Sequence, residues 1–343
     1  MNYLDKVDKK MLDYFNVLEP EFPDWLIEYI NTKEMLKQQY ISVTCGTIYT
    51  DLFDNNYFYS SLDHSIAVAL IIWHFTYDKK QTLSGLFHDI ATPAFKHCVD
   101  FLNGDYMTQE STEDLTNKII SESKDILKLL KRDNISLEEI NDYHKYPSAD
   151  NDTPKLSSDR LEYSLSNAVL VYNLLNIDEI KDIYNDIYVG VDKDGIEELS
   201  FRTKSIARKF VKVTSKLSLI YRGEETRYSM QLLADILKLL SDEKVITKKD
   251  LYNLREHEII NIINDSKYGY IFNIWKNAKK IKISKERPEN VYYINHGAKI
   301  RHIDPLVNGN RVSEICKIAK KLINQNLSYD MDNYVYLEGI KFN

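Results

Sequence analysis

The chain has few of the residues that break regular structure and few cysteines. Ten glycines and seven prolines in 343 residues are too few for an all-β fold with many turns, so the composition favours helices. The three cysteines, Cys45, Cys98 and Cys316, are far apart and odd in number, which predicts reduced thiols in the cytoplasm. The longest apolar run, 66–73, is too short to cross a bilayer, and residues 1–10 lack the apolar core of a signal peptide. We therefore expect a mainly α-helical, cytoplasmic protein without a membrane partner.

Three familiar functional patterns are also missing. The sequence contains no Gly-x-x-x-x-Gly-Lys, no Gly-x-Gly-x-x-Gly and no Gly-x-Ser-x-Gly, so it supports neither a P-loop NTPase, nor a Rossmann enzyme, nor a serine-elbow hydrolase. The formal net charge of −7 argues against nucleic acid as a partner, although it leaves room for a local basic pocket.

Hydrophobic periodicity predicts helices along most of the chain. The predicted helices cover 5–16, 22–37, 64–76, 80–88, 94–103, 112–131, 156–175, 201–221, 227–241, 248–253, 256–265 and 311–325. Turn signals predict one β-hairpin over 186–200 and a second over 291–303, around Asn295-His296-Gly297. We divide the chain into an N-terminal helical segment (1–45), a helical metal-binding domain (46–175) and a C-terminal helical region with short hairpins (176–343), which packs on that domain.

Two histidines and two aspartates, His64, His88, Asp89 and Asp159, are the candidate metal ligands. Asp89 follows the apolar residues of 83–87, where an unpaired buried carboxylate is strongly disfavoured and a bound cation would remove the penalty. The four residues lie on or at the ends of three predicted helices, and ligands on separate packed helices can converge on one ion. A mixed nitrogen and oxygen set suits Fe, Mn, Zn or Ni and leaves positions for water and substrate. The alternative is that the histidines belong to the core and the aspartates cap helices.

The sequence around these residues resembles the HD phosphohydrolase superfamily. The resemblance lies in Ser60-Ser61-Leu62-Asp63-His64-Ser65-Ile66-Ala67-Val68, Leu83-Ser84-Gly85-Leu86-Phe87-His88-Asp89-Ile90 and Asp159-Arg160-Leu161-Glu162-Tyr163. Pro93-Ala94-Phe95-Lys96-His97 and Lys299-Ile300-Arg301-His302-Ile303-Asp304-Pro305-Leu306 are similar to segments of the deoxynucleoside triphosphate triphosphohydrolase branch. The resemblance is specific over about 60–175 and collinear to about 325.

The resemblance implies an HD-domain helical core with a helical C-terminal extension. It implies that His64, His88, Asp89 and Asp159 hold a divalent metal (Fe, Mn, Zn, Ni or Mg). Arg160 and Tyr163 would face the substrate, and His97 would lie near its phosphates. The implied partner is a nucleotide or another phosphorylated small molecule, and the implied assembly is a homo-oligomer.

The chain departs from the branch at three positions. The branch usually has Arg at the position of Ser61, His at the position of Thr92, and a His-Glu pair where this chain has Gln109-Glu110. We therefore take Glu110, Asp105 and His97 as candidates for proton transfer, because a carboxylate in a desolvated pocket can act as acid or base. The alternative is that Glu110 merely favours a helix N-terminus, and that His97 is a partly buried helical histidine.

A basic stripe follows on a later helix. Lys204, Arg208 and Lys212 repeat every four residues and form one face, which is a candidate phosphate-binding surface, and Arg222 and Arg227 follow. The alternative is a solvated helix face in a lysine-rich chain.

These patterns together predict a metal-dependent phosphohydrolase that acts on a nucleotide, most similar to a dNTP triphosphohydrolase. Two other functions stay open. One is another HD hydrolase, acting on a nucleoside monophosphate, a cyclic nucleotide or an alarmone. The other is a catalytically inactive regulatory protein that binds a nucleotide. The C-terminal region favours the first function, whereas the missing arginine and histidines favour the other two.

Overall fold

The computed structural model describes residues 2–55, 57–108 and 115–342. These ranges contain many helices and a few short strands, which confirms the mainly α fold class with small β elements. The helices are α1 (Lys9–Leu18), α2 (Asp24–Ile30), α3 (Lys33–Lys37), α4 (Ser61–Thr76), α5 (Lys79–Phe87), α6 (Cys98–Leu102), α7 (Thr116–Glu122), α8 (Lys124–Arg132), α9 (Ser158–Ser166), α10 (Ile177–Asn185), α11 (Lys204–Tyr221), α12 (Glu224–Asp242), α13 (Lys248–Asn253), α14 (Glu256–Asp265), α15 (Gly269–Lys276), α16 (Val312–Ile315) and α17 (Lys317–Leu327). The strands are β1 (Ile187–Val191), β2 (Glu197–Phe201), β3 (Lys282–Ser284), β4 (Tyr293–Ile294), β5 (Leu306–Val307), β6 (Asn310–Arg311) and β7 (Tyr334–Tyr336). Within the described ranges, no helix combines the length and the apolar content that a membrane span requires.

Helix α4 is the central helix of the fold, since twelve of its sixteen residues are buried. It begins with a capping box, in which the Ser60 hydroxyl accepts the Asp63 N–H and the Asp63 carboxylate accepts the Ser60 N–H. The box starts the helix three residues before the predicted start, so His64 lies within its first turn.

A glycine brings α5 close to α4. A Cβ at Gly85 would lie 2.2 Å from Ile72 Cδ1 and 3.3 Å from Val68 Cγ1, so only glycine allows this approach without displacing the isoleucine. The close packing sets the C-terminal end of α5, and the His88-Asp89 pair that follows, beside the start of α4.

Two small sheets complete the fold. The predicted hairpin over 186–200 is confirmed, since β1 and β2 pair antiparallel from Ile187 opposite Phe201 onward. Strand β2 then pairs parallel with β5, which pairs antiparallel with β6.

The second predicted hairpin, over 291–303, is wrong. Tyr293 and Ile294 of β4 pair with β7, about 40 residues later, rather than with a strand after Gly297. The physical reason is a long-range contact, because the buried Arg227 donates to the carbonyls of both His296 and Met331. That guanidinium ties the segment after β4 to the segment before β7.

The buried apolar side chains form two main clusters. The first runs from Tyr3 to Ile323 and includes α4, α5 and α9, so it draws on all three predicted segments of the chain. The second contains α6 and α12 side chains. Ile90 belongs to the first cluster and Phe95 to the second, so the segment after Asp89 passes from one core to the other. The segment boundaries at residues 45 and 175 stay a prediction.

Candidate metal centre

The structure brings the four predicted ligands together. His64 Nε2 lies 3.2 Å from His88 Nε2, 3.2 Å from Asp159 Oδ1 and 3.9 Å from Asp89 Oδ2. His88 Nε2 lies 3.8 Å from Asp89 Oδ1 and 3.7 Å from Asp159 Oδ1. One nitrogen or oxygen from each of His64, His88 and Asp89 fits within 4.8 Å of the others, a spacing that a single ion could bridge.

Both imidazoles are held so that Nε2 faces this cluster. His64 Nδ1 donates to the carboxylate of Glu162, which is fully buried, and His88 Nδ1 donates to the Gly85 carbonyl at 2.7 Å. A carboxylate and a carbonyl can only accept, so Nδ1 carries a hydrogen in both rings and Nε2 is the nitrogen that would bind an ion. Metal-binding histidines commonly have such a partner on the other ring nitrogen. The donor set and its orientation therefore fit a divalent metal.

The electrostatics of the cluster favour a cation among the four side chains. Burial alone would lower the pKa of His64, but the charges of Glu162 and Asp159 raise it to about 10. Burial would raise the pKa of Asp159, but its hydrogen bond to His64 lowers it to about 2. The Asp159 carboxylate is thus ionised, and the His64 ring holds an extra proton, which a divalent ion would displace.

Asp89 forms an ion pair with Lys96, which was not predicted from the sequence. Lys96 Nζ lies 2.5 Å from Asp89 Oδ2, and despite burial this charge holds the pKa of Asp89 well below its usual range. Asp89 therefore has a cationic partner without a metal ion, which corrects the expectation that only a bound ion would offset its burial. The side chain of Asp89 is also 23% exposed, so it is not fully buried.

Two of the three candidates for proton transfer, His97 and Asp105, lie on either side of α6. His97 precedes α6 and its Nδ1 lies 2.8 Å from Asp100, which is fully buried. Burial lowers the pKa of His97, Asp100 opposes this effect, and Arg301 adds to it. Asp105 follows α6, where its N–H donates to the Asp100 carbonyl at 2.8 Å and its carboxylate accepts from Thr108. Glu110 and Gln109 lie outside the described residues. All three catalytic roles stay predictions.

Of the predicted substrate-facing residues on α9, Arg160 directly follows Asp159 and Tyr163 lies one helical turn after it. Arg160 is held by the loop before the helix, donating to Asn151 Oδ1 at 2.6 Å and to the Lys155 carbonyl at 3.2 Å. Burial raises the pKa of Tyr163, while the charges of Arg301 and Arg160 lower it. Arg301 is a cation of this region to which the sequence reasoning assigned no role.

The basic stripe on α11 lies at the surface. Lys204, Arg208 and Lys212 are exposed, whereas the helix reaches the site region through Tyr221, whose ring centroid lies 6.3 Å from that of Tyr163. Tyr221 is nine residues beyond Lys212, which is about 13 Å along the helix axis. Phosphate binding by these three residues stays a prediction without support from their position.

Arg222 and Arg227 differ from the stripe, because both are fully buried. Arg222 Nη2 donates to Asn326 Oδ1 at 2.6 Å, and Arg227 holds the two carbonyls described above. Their observed contacts are therefore structural.

Sequence reasoning gave no role to two residues that contact the ligands. Glu162 lies inside the Asp-Arg-Leu-Glu-Tyr block, three residues after Asp159, so helical spacing places it one turn away and offered a signal. Lys96 lies seven residues after Asp89, and its approach depends on backbone angles that no spacing rule predicts.

Sequence comparison with known proteins gives a distant relative but no family. No family model matches the chain. The uncharacterized protein YdhJ of Bacillus subtilis (strain 168) is 25% identical over 251 residues, which cover 71% of this chain and 73% of that protein.

Two solved structures share the architecture. A phosphohydrolase from Bacteroides thetaiotaomicron VPI-5482 has a TM-score of 0.61 at 13% identity, covering 91% of this chain and 95% of that one. A hypothetical protein from Aquifex aeolicus has a TM-score of 0.57 at 15% identity, covering 92% and 93%. At these identities the likeness shows the fold alone, so the chain has a fold that a phosphohydrolase also has. Membership of the HD superfamily and of its triphosphohydrolase branch stays a prediction.

Proposed function

We propose that the protein is a metal-dependent phosphohydrolase of the HD superfamily that acts on a nucleotide, most similar to the dNTP triphosphohydrolases. The observation that carries the proposal is the convergence of His64, His88, Asp89 and Asp159, with both Nδ1 nitrogens already engaged. The phosphohydrolase with the same fold supports the class of reaction.

Each residue has a role in this proposal. The four ligands hold the ion, and Glu162 and the Gly85 carbonyl fix the orientation of the two imidazoles. A divalent ion bound there supplies Lewis acidity, which lowers the pKa of a water molecule and polarises a phosphoryl oxygen. Arg160 and Tyr163 bind the substrate on the α9 side of the ligands.

Proton transfer to the leaving oxygen needs a further group. His97 is the first candidate, because Asp100 holds its Nδ1 and Nε2 would then be the ring nitrogen that exchanges the proton. Asp105 and Glu110 are the other candidates.

The residue at position 92 favours the two alternative functions. Thr92, where the resembling branch has histidine, is 7% exposed and cannot exchange protons near neutral pH. A protein with this change could hydrolyse another phosphate ester, or bind a nucleotide without turning it over.

Metal analysis of the wild type and of Asp89→Ala tests the proposal. We expect a divalent transition metal in the wild type and none in the variant, which also loses the stabilisation that added Mn²⁺ gives, about 2.7 kcal/mol at a hundredfold excess over Kd. Asp192→Ala is the matched control, because Asp192 is 6% exposed and paired with a lysine but belongs to the hairpin turn. Full metal occupancy in Asp89→Ala would refute the ligand assignment.

A substrate screen separates the candidate functions. The wild type, with Mn²⁺, Fe²⁺ or Ni²⁺, is incubated with the four dNTPs, several monophosphates and a phosphodiester, and the products are separated by chromatography. Release of intact triphosphate supports the dNTP triphosphohydrolase. Release of phosphate from another ester supports the wider class, and binding without turnover supports the nucleotide-binding protein.

A further inference from the structure

Two successive residues in the segment that follows Asp89 have a backbone conformation that residues other than glycine rarely adopt. Phe95 has φ of 63° and Lys96 has φ of 45°, both in the left-handed region. The left-handed conformation costs on the order of 1–2 kcal/mol for each residue other than glycine, and a bulky aromatic residue rarely adopts it. Such conformations persist where the surrounding structure enforces them, and they are concentrated at functional sites.

The surroundings of Phe95 account for the conformation. Its ring is fully buried in the second apolar cluster, and its N–H donates to Glu256 Oε1 at 3.0 Å. The preceding N–H, of Ala94, donates to the Leu251 carbonyl at 2.8 Å. The chain is thus anchored on the second core immediately before Lys96.

The result of this anchoring is the position of the Lys96 ammonium. Nζ lies 2.5 Å from Asp89 Oδ2 and 3.2 Å from Ser61 Oγ, and the side chain is only 11% exposed. Ser61 is small and fully buried, so it leaves room for the lysine beside the ligands. An ammonium has three N–H donors, and these two contacts use two of them.

We propose that Lys96 binds a phosphate oxygen of the substrate beside the metal, which makes it a substrate-binding residue of this site. The inference rests on the proposed phosphohydrolase function. If Asp89 held a divalent ion, its negative charge would be shared between that ion and Lys96. An almost buried ammonium that shares its carboxylate with a metal ion is stabilised by a further anion in direct contact with it. A phosphate group of the substrate would supply that anion through a charge-assisted hydrogen bond from Lys96 Nζ.

A purely positional role makes a different prediction. If Lys96 only orients the Asp89 carboxylate, its removal weakens metal binding and leaves the affinity for phosphate unchanged at saturating metal. If Lys96 binds phosphate, its removal weakens phosphate binding, while the metal affinity stays the same or rises because a competing cation is gone.

Calorimetric titration separates these roles without relying on turnover. Metal-stripped Lys96→Met is titrated with Mn²⁺, and the Mn²⁺-saturated variant is then titrated with inorganic tripolyphosphate and with inorganic phosphate. We expect the Kd for both probes to rise about ten- to hundredfold, the range for losing a hydrogen bond between charged groups. The Kd for Mn²⁺ should be unchanged or lower. Lys96→Arg keeps the charge and should keep most of the affinity.

Lys209→Met is the matched control, because Lys209 also pairs with a carboxylate, Glu179, at 2.9 Å, on an unrelated helix face. It should leave both affinities unchanged. If Lys96→Met does not fold, Lys96→Gln provides the same test with a polar side chain.

The outcomes distinguish the two proposals. Unchanged phosphate affinity in Lys96→Met, with a wild type that binds both metal and phosphate, overturns the role of Lys96 and leaves the proposed function standing. A wild type that binds Mn²⁺ but neither phosphate probe overturns both.

Discussion

The buried carboxylate of Glu162 offers the sharpest test of how this site is built. It accepts hydrogen bonds from His64 Nδ1, from the Tyr59 hydroxyl at 2.6 Å and from the Tyr14 hydroxyl at 3.1 Å. Glu162→Gln keeps the shape but replaces one acceptor oxygen by an amide that only donates. At least one of the three donors then loses its partner, and the negative charge that holds the His64 ring disappears.

The size of the effect follows from these contacts. Removing one member of a buried ion pair costs roughly 3–5 kcal/mol, and glutamine retains one of the two acceptors, so we expect a loss of about 2–3 kcal/mol. For 343 residues this lowers Tm by about 3–4 °C. Loss of a hydrogen-bond partner behind a metal ligand weakens metal binding about 10–100-fold.

Thermal unfolding of the metal-stripped protein measures the first effect, and calorimetric titration with Mn²⁺ measures the second. Glu198→Gln is the matched control, because Glu198 is also fully buried and binds Arg311 through both oxygens at 2.7 Å. It should lower Tm by a similar amount and leave the Kd for Mn²⁺ unchanged. If Glu162→Gln bound Mn²⁺ as tightly as the wild type, the idea that Glu162 prepares His64 for a metal would be wrong.

Two further predictions concern the packing behind the site. Burial raises the pKa of Glu256 to about 7 from the ordinary 4.5, so the native state binds the extra proton between these values and stability falls as pH rises through this window. The free energy of unfolding of the wild type should fall between pH 4.5 and 8, and Glu256→Gln should reduce that fall by up to about 3 kcal/mol, as measured by denaturant titration. An unchanged pH dependence in the variant would contradict a raised pKa of Glu256. Gly85→Ala places a Cβ 2.2 Å from Ile72 Cδ1, so it should cost about 1–3 kcal/mol and weaken Mn²⁺ binding because the Gly85 carbonyl holds His88. Adding Ile72→Val removes the obstructing methyl group and should recover part of both losses, whereas no recovery would refute the packing explanation.

Several local features of the chain could be predicted because their physical causes lie within a few residues. The β1–β2 hairpin is confirmed, since its turn and its register depend on neighbouring residues. The capping signal Ser60-x-x-Asp63 was also available and places the start of α4 correctly. The same kind of signal, Asn176-x-x-Glu179, begins α10, a helix that periodicity alone did not predict.

The grouping of His64, His88, Asp89 and Asp159 was predicted from the residue types together with the resemblance of the surrounding sequence to the HD phosphohydrolases. The residue types alone left open the alternative of core histidines and capping aspartates. Their separations, however, result from the contact between α4 and α5 at Gly85 and from the buried Glu162. Those contacts depend on packing between elements far apart in the sequence.

The amino-acid sequence by itself determined the helical class, the local caps and turns, and the candidate ligands. Only the tertiary structure decided that Lys96 reaches Asp89, that Lys204, Arg208 and Lys212 lie at the surface, and that β4 pairs with β7. The physical reason is the range of the forces involved. Helical periodicity and turn chemistry act over a few residues, whereas the direction of a side chain such as Lys96 depends on a backbone held by two separate cores.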